Sequence, residues 1–276
     1  MSSNERDRNA AYDIVPRRKS NYPRMNEEFL DLPKLIDDFI LDENSLPRFE
    51  SNTRFFLQGS CFAENLAAEL KQSGYSCFYN AITEAINSPL ANLIYLGQVK
   101  ANMQDPVRKE IEKADIFVLT VGVAPSWFAK SDGKFQFGPD LRNIGNSVQR
   151  TATVAEATQA LLGVFRLIYD IKPSIRIVLT LSPVPLGSTF EFSSAIVADC
   201  VSKSVLRAAI HEALNACEGQ KPIYFPSFEI VRWAGGHAGN AFGDDGLPRH
   251  VAKDYVRQII HSFLSGSKAA QAEKAG

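Results

Sequence analysis

Arg54-Phe55-Phe56-Leu57-Gln58-Gly59-Ser60-Cys61-Phe62-Ala63 is the stretch that decides how this chain folds. Its first half is a short apolar run of strand character, and from Phe62 to Lys71 the pattern turns helical. A Gly-Ser pair between them lets a strand turn at once into a helix and leaves a hydroxyl at the helix N-terminus. Free backbone N–H groups and the macrodipole favour developing negative charge there. Ser60 can therefore serve as a nucleophile beside a partly built oxyanion hole. The competing reading is a simple helix cap, a role serine fills well.

Outward from this stretch, strands and helices alternate. Arg54–Gln58, Cys77–Tyr79, Asp115–Val121, Arg176–Leu181 and Pro222–Phe225 read as strands. Phe62–Gln72, Pro89–Gln98, Val154–Asp170, Ala195–Cys217 and Arg249–Phe263 read as amphipathic helices. The runs 116–121 and 175–181 are nearly continuous in β-branched and apolar residues, as strands buried on both faces of a parallel sheet require. The expected fold is a three-layer α/β/α sandwich around a central parallel sheet, with no internal repeat and no second domain. Residues 1–50 read as an arm or strap, 51–265 as the domain and 266–276 as a frayed tail. Ligands of such sheets collect beyond the carboxyl ends of the strands. That rule selects Ser60, the segments 80–87, 122–127 and 182–187, and the long stretch from Ser227 to His250.

Composition removes several classes of function. The 276 residues include 30 basic and 31 acidic side chains, a formal net charge of −1, so no global field draws the chain to nucleic acid or an acidic membrane surface. The first residues lack the apolar core of a signal peptide, and no window approaches the eighteen or so apolar residues of a membrane span. Cytoplasmic location is the expectation. Cys61, Cys77, Cys200 and Cys217 form no CxxC pair and are not interleaved with histidines, which argues against a zinc site or a disulfide framework.

Several of these segments together resemble the GSCFA-domain family, a branch of the SGNH/GDSL-like hydrolase superfamily. The resemblance runs from about Arg54 to Phe263. Besides Gly59-Ser60-Cys61-Phe62-Ala63 it rests on Leu181-Ser182-Pro183-Val184-Pro185-Leu186, on Ser202-Lys203-Ser204-Val205-Leu206-Arg207 and on Tyr224-Phe225-Pro226-Ser227-Phe228-Glu229. It implies a flavodoxin-like fold and ester chemistry, with a serine nucleophile in the first block and a histidine base in the last. Nucleophile, base and oxyanion donors are then all protein groups, so no metal or organic cofactor is implied.

Of the four histidines, His211 and His261 fall inside helical patterns, and His237 lies in the glycine-rich run 235–239, read as a flexible loop. His250 matches the superfamily's final histidine, read as opening the last helix, where its imidazole can accept the Ser60 proton. His237 is the alternative base. The superfamily places an aspartate three residues before this histidine. Leu247 stands there, and Asp245 is the expected orienting acid, with a plain Asp-Asp-Gly surface turn as the competing reading.

The expected oxyanion donors are the N–H groups of Ser60 and Gly122 and the side-chain amide of Asn87. The superfamily's Gly-x-Asn block is represented only by Gly122, since Val123 and Ala124 follow it, and no glycine lies between Tyr79 and Asn87. Cys61 is the rival nucleophile, because a helix N-terminus favours a thiolate. The residue after a nucleophile is expected, however, to face the helix–sheet packing. Trp127 and Ser182 are candidate substrate-lining residues; Trp233 could also line an acyl or sugar pocket, but packing is the commoner role of both tryptophans, and Lys203 and Arg207 read as a solvated helix face.

The leading expectation is a serine-dependent carboxylic-ester hydrolase acting on O-acetylated carbohydrate or another small ester. An O-acyltransferase would use the same triad. A glycan- or partner-binding protein that has lost catalysis is the reading from a different class.

Overall fold

In the computed structural model, residues 21–41, 46–47, 49–59, 61–83, 87–139, 144–239, 241–244 and 246–269 are described. The strands are β1 (Arg54–Gly59), β2 (Ser76–Ala81), β3 (Ile116–Val121), β4 (Pro125–Ala129), β5 (Phe135–Gln136), β6 (Ser147–Thr151), β7 (Arg176–Leu181) and β8 (Ile223–Phe225). The helices are α1 (Leu32–Phe39), α2 (Cys61–Gln72), α3 (Pro89–Ala101), α4 (Pro106–Lys113), α5 (Val154–Ile171), α6 (Ala195–Ala216) and α7 (Lys253–Ala269).

Strands β2-β1-β3-β7-β8 form one parallel sheet in that spatial order, the flavodoxin-like arrangement, with its switch point between β1 and β3. Period-two side-chain alternation explains why the strands are apolar throughout. Phe55, Leu57, Ile116 and Val118 face a core shared with α1, α2 and α7. Phe56, Phe117, Leu119, Ile177 and Leu179 face a second core under α3, α5 and α6. The fold is the expected α/β/α sandwich. Strands β5-β4-β6 add a small antiparallel sheet, which local patterning did not reveal.

Helix starts follow from capping chemistry. Ser88 accepts from the Ala91 N–H ahead of Pro89, and Ser194 accepts from Val197. At α5, Thr153 and Glu156 form a reciprocal capping box. Glu156 also takes a bidentate pair from Arg150 at 2.7 and 2.8 Å, and Arg150 lies 4.1 Å over the Phe128 ring. The Arg150 guanidinium, helped by the Thr153 N–H, holds the Glu156 carboxyl down at about 2. The sign follows directly. A lowered folded-state value means the stabilisation is present above the ordinary carboxylate range and is lost as pH falls towards 2. Because the pair is more than a third exposed, solvent screening limits the effect to about 1 kcal/mol. Urea unfolding at neutral and acid pH should show E156Q with a shallower acid loss than wild type. Equal acid slopes would remove Glu156 from the account.

The segment read as an arm is more deeply built in than that word implies. Phe29, Leu32, Leu35, Ile36, Leu46 and Phe49 all join the core beside β1 and α7. At the other end α7 continues to Ala269, and 270–276, most of the expected tail, lie outside the described residues. Among the described residues no helix is long and apolar enough to cross a membrane.

Candidate functional site

A parallel sheet delivers the ends of β1, β3 and β7 to one edge, and the segments leaving them enclose a cavity of about 220 Å³. Its walls include Cys61, Tyr79, Asn87, Gly122, Val123 and Ser182. Four of the residues singled out in the sequence, Cys61, Asn87, Gly122 and Ser182, are thereby brought together. Ser60, between Gly59 and Cys61 in the chain, lies outside the described residues, as does Asp245.

Gly59 closes β1 with φ +153°, and a Cβ on it would lie 2.7 Å from Cβ of Thr120 on the neighbouring strand. Glycine is required there by both conformation and space. Its carbonyl accepts from the Tyr79 hydroxyl at 3.2 Å and from the Ile82 N–H at 2.9 Å, tying the turn to the segment after β2. Burial raises the Tyr79 hydroxyl pKa, with Glu64 adding to it, so the group remains a neutral donor. Cys61 begins α2 and is exposed at the cavity rather than turned into the sheet. The expectation of a packed thiol is corrected: at the very start of the helix the side chain still projects beyond the strand ends.

Asn87 is the most unusual residue of the site. It is fully buried, yet among the described residues neither its Nδ2 nor its Oδ1 has a hydrogen-bond partner. Buried amides are nearly always satisfied, so such an orphan calls for a ligand or a function. The backbone around it is firmly held. Gly122 and Val123 both donate to the Asn87 carbonyl, at 2.9 and 3.3 Å. The next residue, Ser88, caps α3 and accepts from Ser126 at 3.2 Å, and its carbonyl accepts from Asn92 at 2.8 Å. Asn92 in turn accepts from Gln58 on β1 at 2.6 Å, and Asn80 on β2 donates to Gln58 at 3.0 Å. A buried polar ladder thus runs from the sheet to the cavity wall. The Gly122 N–H is engaged by the Asn87 carbonyl. Of these two expected donors, the side chain of Asn87, not the Gly122 amide, is therefore uncommitted among the described residues.

Ser182 also lines the cavity and is buried, its N–H bonded to the Val121 carbonyl at 2.8 Å and its hydroxyl accepting from Val184 at 3.3 Å. Trp127 lies in an adjoining cleft of about 430 Å³ that shares Val123 with the first cavity. There it meets Phe190, with ring centroids 5.2 Å apart.

His250 is not on the last helix. α7 begins at Lys253, whose N–H is capped by Asp244 at 2.7 Å. His250 sits three residues earlier in a loop, its N–H bonded to Leu247 and its carbonyl to Gly243. An antiparallel bridge between Val251 and Phe242, and the bond from the Ala252 N–H to the Ala241 carbonyl at 2.8 Å, commit the residues between His250 and the helix. The preceding residue, Arg249, lines the Trp127 cleft and donates to the Pro185 carbonyl at 3.0 Å. His237 is placed differently from expectation. It belongs to a short helical turn, Gly235–Ala238, and stacks on Phe29 at 4.1 Å. That contact ties the still exposed ring to the N-terminal segment instead of leaving it in a flexible loop. Trp233, expected to pack, is 64 % exposed.

Behind the cavity, α6 supplies residues that sequence reasoning passed over. Asp199, Ser202 and Lys203 are buried. They bond respectively to Leu186 N–H at 3.0 Å, Ala124 N–H at 2.9 Å and the Gly122 carbonyl at 2.6 Å. Arg232 pairs with Asp199 and donates to the Pro183 carbonyl at 2.9 Å. The solvated face expected for Lys203 and Arg207 is corrected for the buried Lys203, while Arg207, its side chain 38 % exposed, pairs with Glu229 at 2.6 Å. A signal existed: Ser202 sits in register with the buried stripe of Ala198, Leu206, Ala209, Ile210 and Ala213, where apolar residues belong, and Lys203 is adjacent to it.

A flavodoxin-like α/β/α domain with a cavity beyond the β1/β3 switch point is the class that this geometry defines. The GSCFA family model matches residues 94–263, more than half the chain, and the chain belongs to the GSCFA family. The matched stretch contains Gly122, Ser182, Lys203 and His250, while Ser60 and Asn87 precede it. A comparison with curated protein sequences gives no match. Among solved structures, a candidate GDSL-like lipase from Parabacteroides merdae is 13 % identical, with a TM-score of 0.46 over 81 % of this chain and all of that one. A carbohydrate esterase family 2 enzyme with a carbohydrate-binding domain, from Myceliophthora fergusii, is 16 % identical, with a TM-score of 0.46 over 82 % of this chain and 68 % of that one. A carbohydrate esterase family 3 enzyme from Talaromyces cellulolyticus is 11 % identical, with a TM-score of 0.38 over 81 % of this chain and 99 % of that one. At such scores they transfer no chemistry to this chain.

Proposed function

We propose that the protein is a serine-dependent carboxylic-ester hydrolase for small, neutral acyl groups carried on a carbohydrate or similar alcohol. The observation that carries this reading is the orphaned, fully buried Asn87 amide on the wall of the cavity lined by Cys61, the residue after Ser60. A donor left unsatisfied at rest is available to an oxyanion that exists only during reaction.

In this mechanism the Ser60 hydroxyl attacks the ester carbonyl while His250 takes its proton, with Asp245 orienting the imidazole. The negative oxygen is held by Asn87 Nδ2 and the Ser60 N–H. Collapse breaks the ester C–O bond, His250 protonates the departing alcohol, and acyl-Ser60 remains. Water then attacks, giving up a proton to His250, and the carboxylic acid leaves as Ser60 is restored. A cavity of about 220 Å³ suits an acetyl-sized group, and Glu64 on its wall disfavours an anionic one. The cleft holding Trp127 and Phe190 offers an aromatic surface for the alcohol part. If a sugar hydroxyl in that cleft replaced water, the same residues would carry out acyl transfer.

The test is fluorophosphonate labelling read by intact mass and peptide mapping. Adduct is expected on Ser60, retained in C61A and lost in S60A and H250A. A folded protein with no adduct on any serine would overturn the hydrolase reading and favour a binding role for the same cavity. Adduct retained in H250A would remove that residue as the base.

A further inference from the structure

We infer that Lys203 is a positioning residue of this site, acting through the Gly122 carbonyl to hold Asn87 where an oxyanion can reach it. The inference rests on the ester-hydrolase reading for what the site does, and on backbone geometry for the link itself.

Lys203 is 3 % exposed in the middle of α6, an environment lysine seldom occupies unless its ammonium is satisfied. Its Nζ donates to the Gly122 carbonyl at 2.6 Å, the short distance of a charge-assisted bond. A peptide unit is rigid, so fixing the Gly122 C=O also fixes the Val123 N–H on its opposite side. That N–H and the Gly122 N–H are the two donors to the Asn87 carbonyl. One ammonium therefore fixes the peptide that supplies the Val123 donor and holds the residue whose own N–H, on the preceding peptide, supplies the other.

The Asn87 side chain has no hydrogen bond of its own to orient it. Its Nδ2 lies 3.0 Å from the position a Cβ would take on Gly122 and so rests against that residue. The depth and direction of the amide thus depend on where the 122–123 peptide stands. Ser202, one residue earlier on the same helix, anchors the following amide, Ala124, so α6 clamps this segment at consecutive points. A neutral donor could satisfy the Gly122 carbonyl, but an ammonium also places positive charge behind the wall where negative charge develops. Such charge acts on the transition state more than on the bound ester.

The test compares K203M with wild type, since an apolar residue of similar length often replaces a buried charge without loss of fold. Amide hydrogen exchange should accelerate at least about tenfold at Gly122 and Val123 in K203M, with β7 amides unchanged. Fluorophosphonate labelling at Ser60 should slow by about 10- to 100-fold, and turnover of an acetyl ester should lose kcat with little change in KM. Because Lys203 acts through Asn87, K203M/N87A should be no slower than N87A alone. Unchanged exchange at Gly122 and Val123 in folded K203M, or losses that simply add in the double variant, would overturn the inference. If K203M does not fold, K203Q carries the same comparison. If wild type takes no label, the hydrolase reading falls while the exchange comparison still decides the Lys203 link.

Discussion

Replacing Asn87 by alanine is expected to slow labelling and ester turnover by about 10²–10³-fold while leaving the thermal midpoint unchanged or higher. The two halves of this result have one cause. The side-chain amide is fully buried and makes no hydrogen bond among the described residues, so the folded protein bears the desolvation of a donor and an acceptor with nothing in return. Alanine relieves that cost, at the expense of a small void. The main-chain bonds from Gly122 and Val123 are untouched, so the loop keeps its place. Activity and stability should therefore move independently, as at sites where strain serves function. Parallel labelling rates and thermal melts check it. A midpoint lowered by several degrees would make Asn87 a structural residue and leave the site without its main donor.

Gly59→Ala should lower stability by roughly 2–4 kcal/mol and abolish labelling at Ser60. The new methyl would lie 2.7 Å from Thr120 Cβ, 3.2 Å from the Thr120 carbonyl and 3.3 Å from Ala63 Cβ. Two of these neighbours belong to the central strand β3 and the third to the first turn of α2, so none is the flexible end of a side chain. The φ of +153° adds strain for any residue with a Cβ. Relief requires β1 to part from β3 or α2 to lift, and either shifts the junction of β1 and α2 at the proposed nucleophile. Urea unfolding alongside labelling measures both effects. A loss below about 1 kcal/mol with labelling intact would show that the turn yields without cost.

Lys203 shows why part of the site was not legible. Four residues from Arg207 on a helix, it reads as one half of a solvated face, and only its place beside the apolar stripe of α6 speaks against that. Only the approach of the loop after β3 gives its ammonium a buried partner. Strands β4 and β6 were missed for a similar reason. Their residues, such as Ser126, Gln149 and Arg150, carry no strong apolar alternation, and they become strands by pairing with each other across some twenty residues. Helix α1 was different. Leu32, Leu35, Ile36 and Phe39 have clear helical spacing, but they lay within a stretch read as an arm. Asn87 was named from sequence as a third donor, yet its orphaned amide, the property that raises it to the first, exists only in the folded molecule.

What the chain determined by itself is what depends on neighbours a few residues apart. Apolar runs, helical stripes, serine and threonine caps and the Gly-Ser turn define five parallel strands, the main helices and the sheet edge at which a ligand would lie. What only the tertiary structure decided is which side chains meet there. Cys61, Asn87, Gly122 and Ser182 are far apart in sequence and share one cavity because a parallel sheet brings every carboxyl end to the same edge. Burial and partnership, which set the roles of Asn87 and Lys203, are properties of that convergence, and no local pattern encodes them.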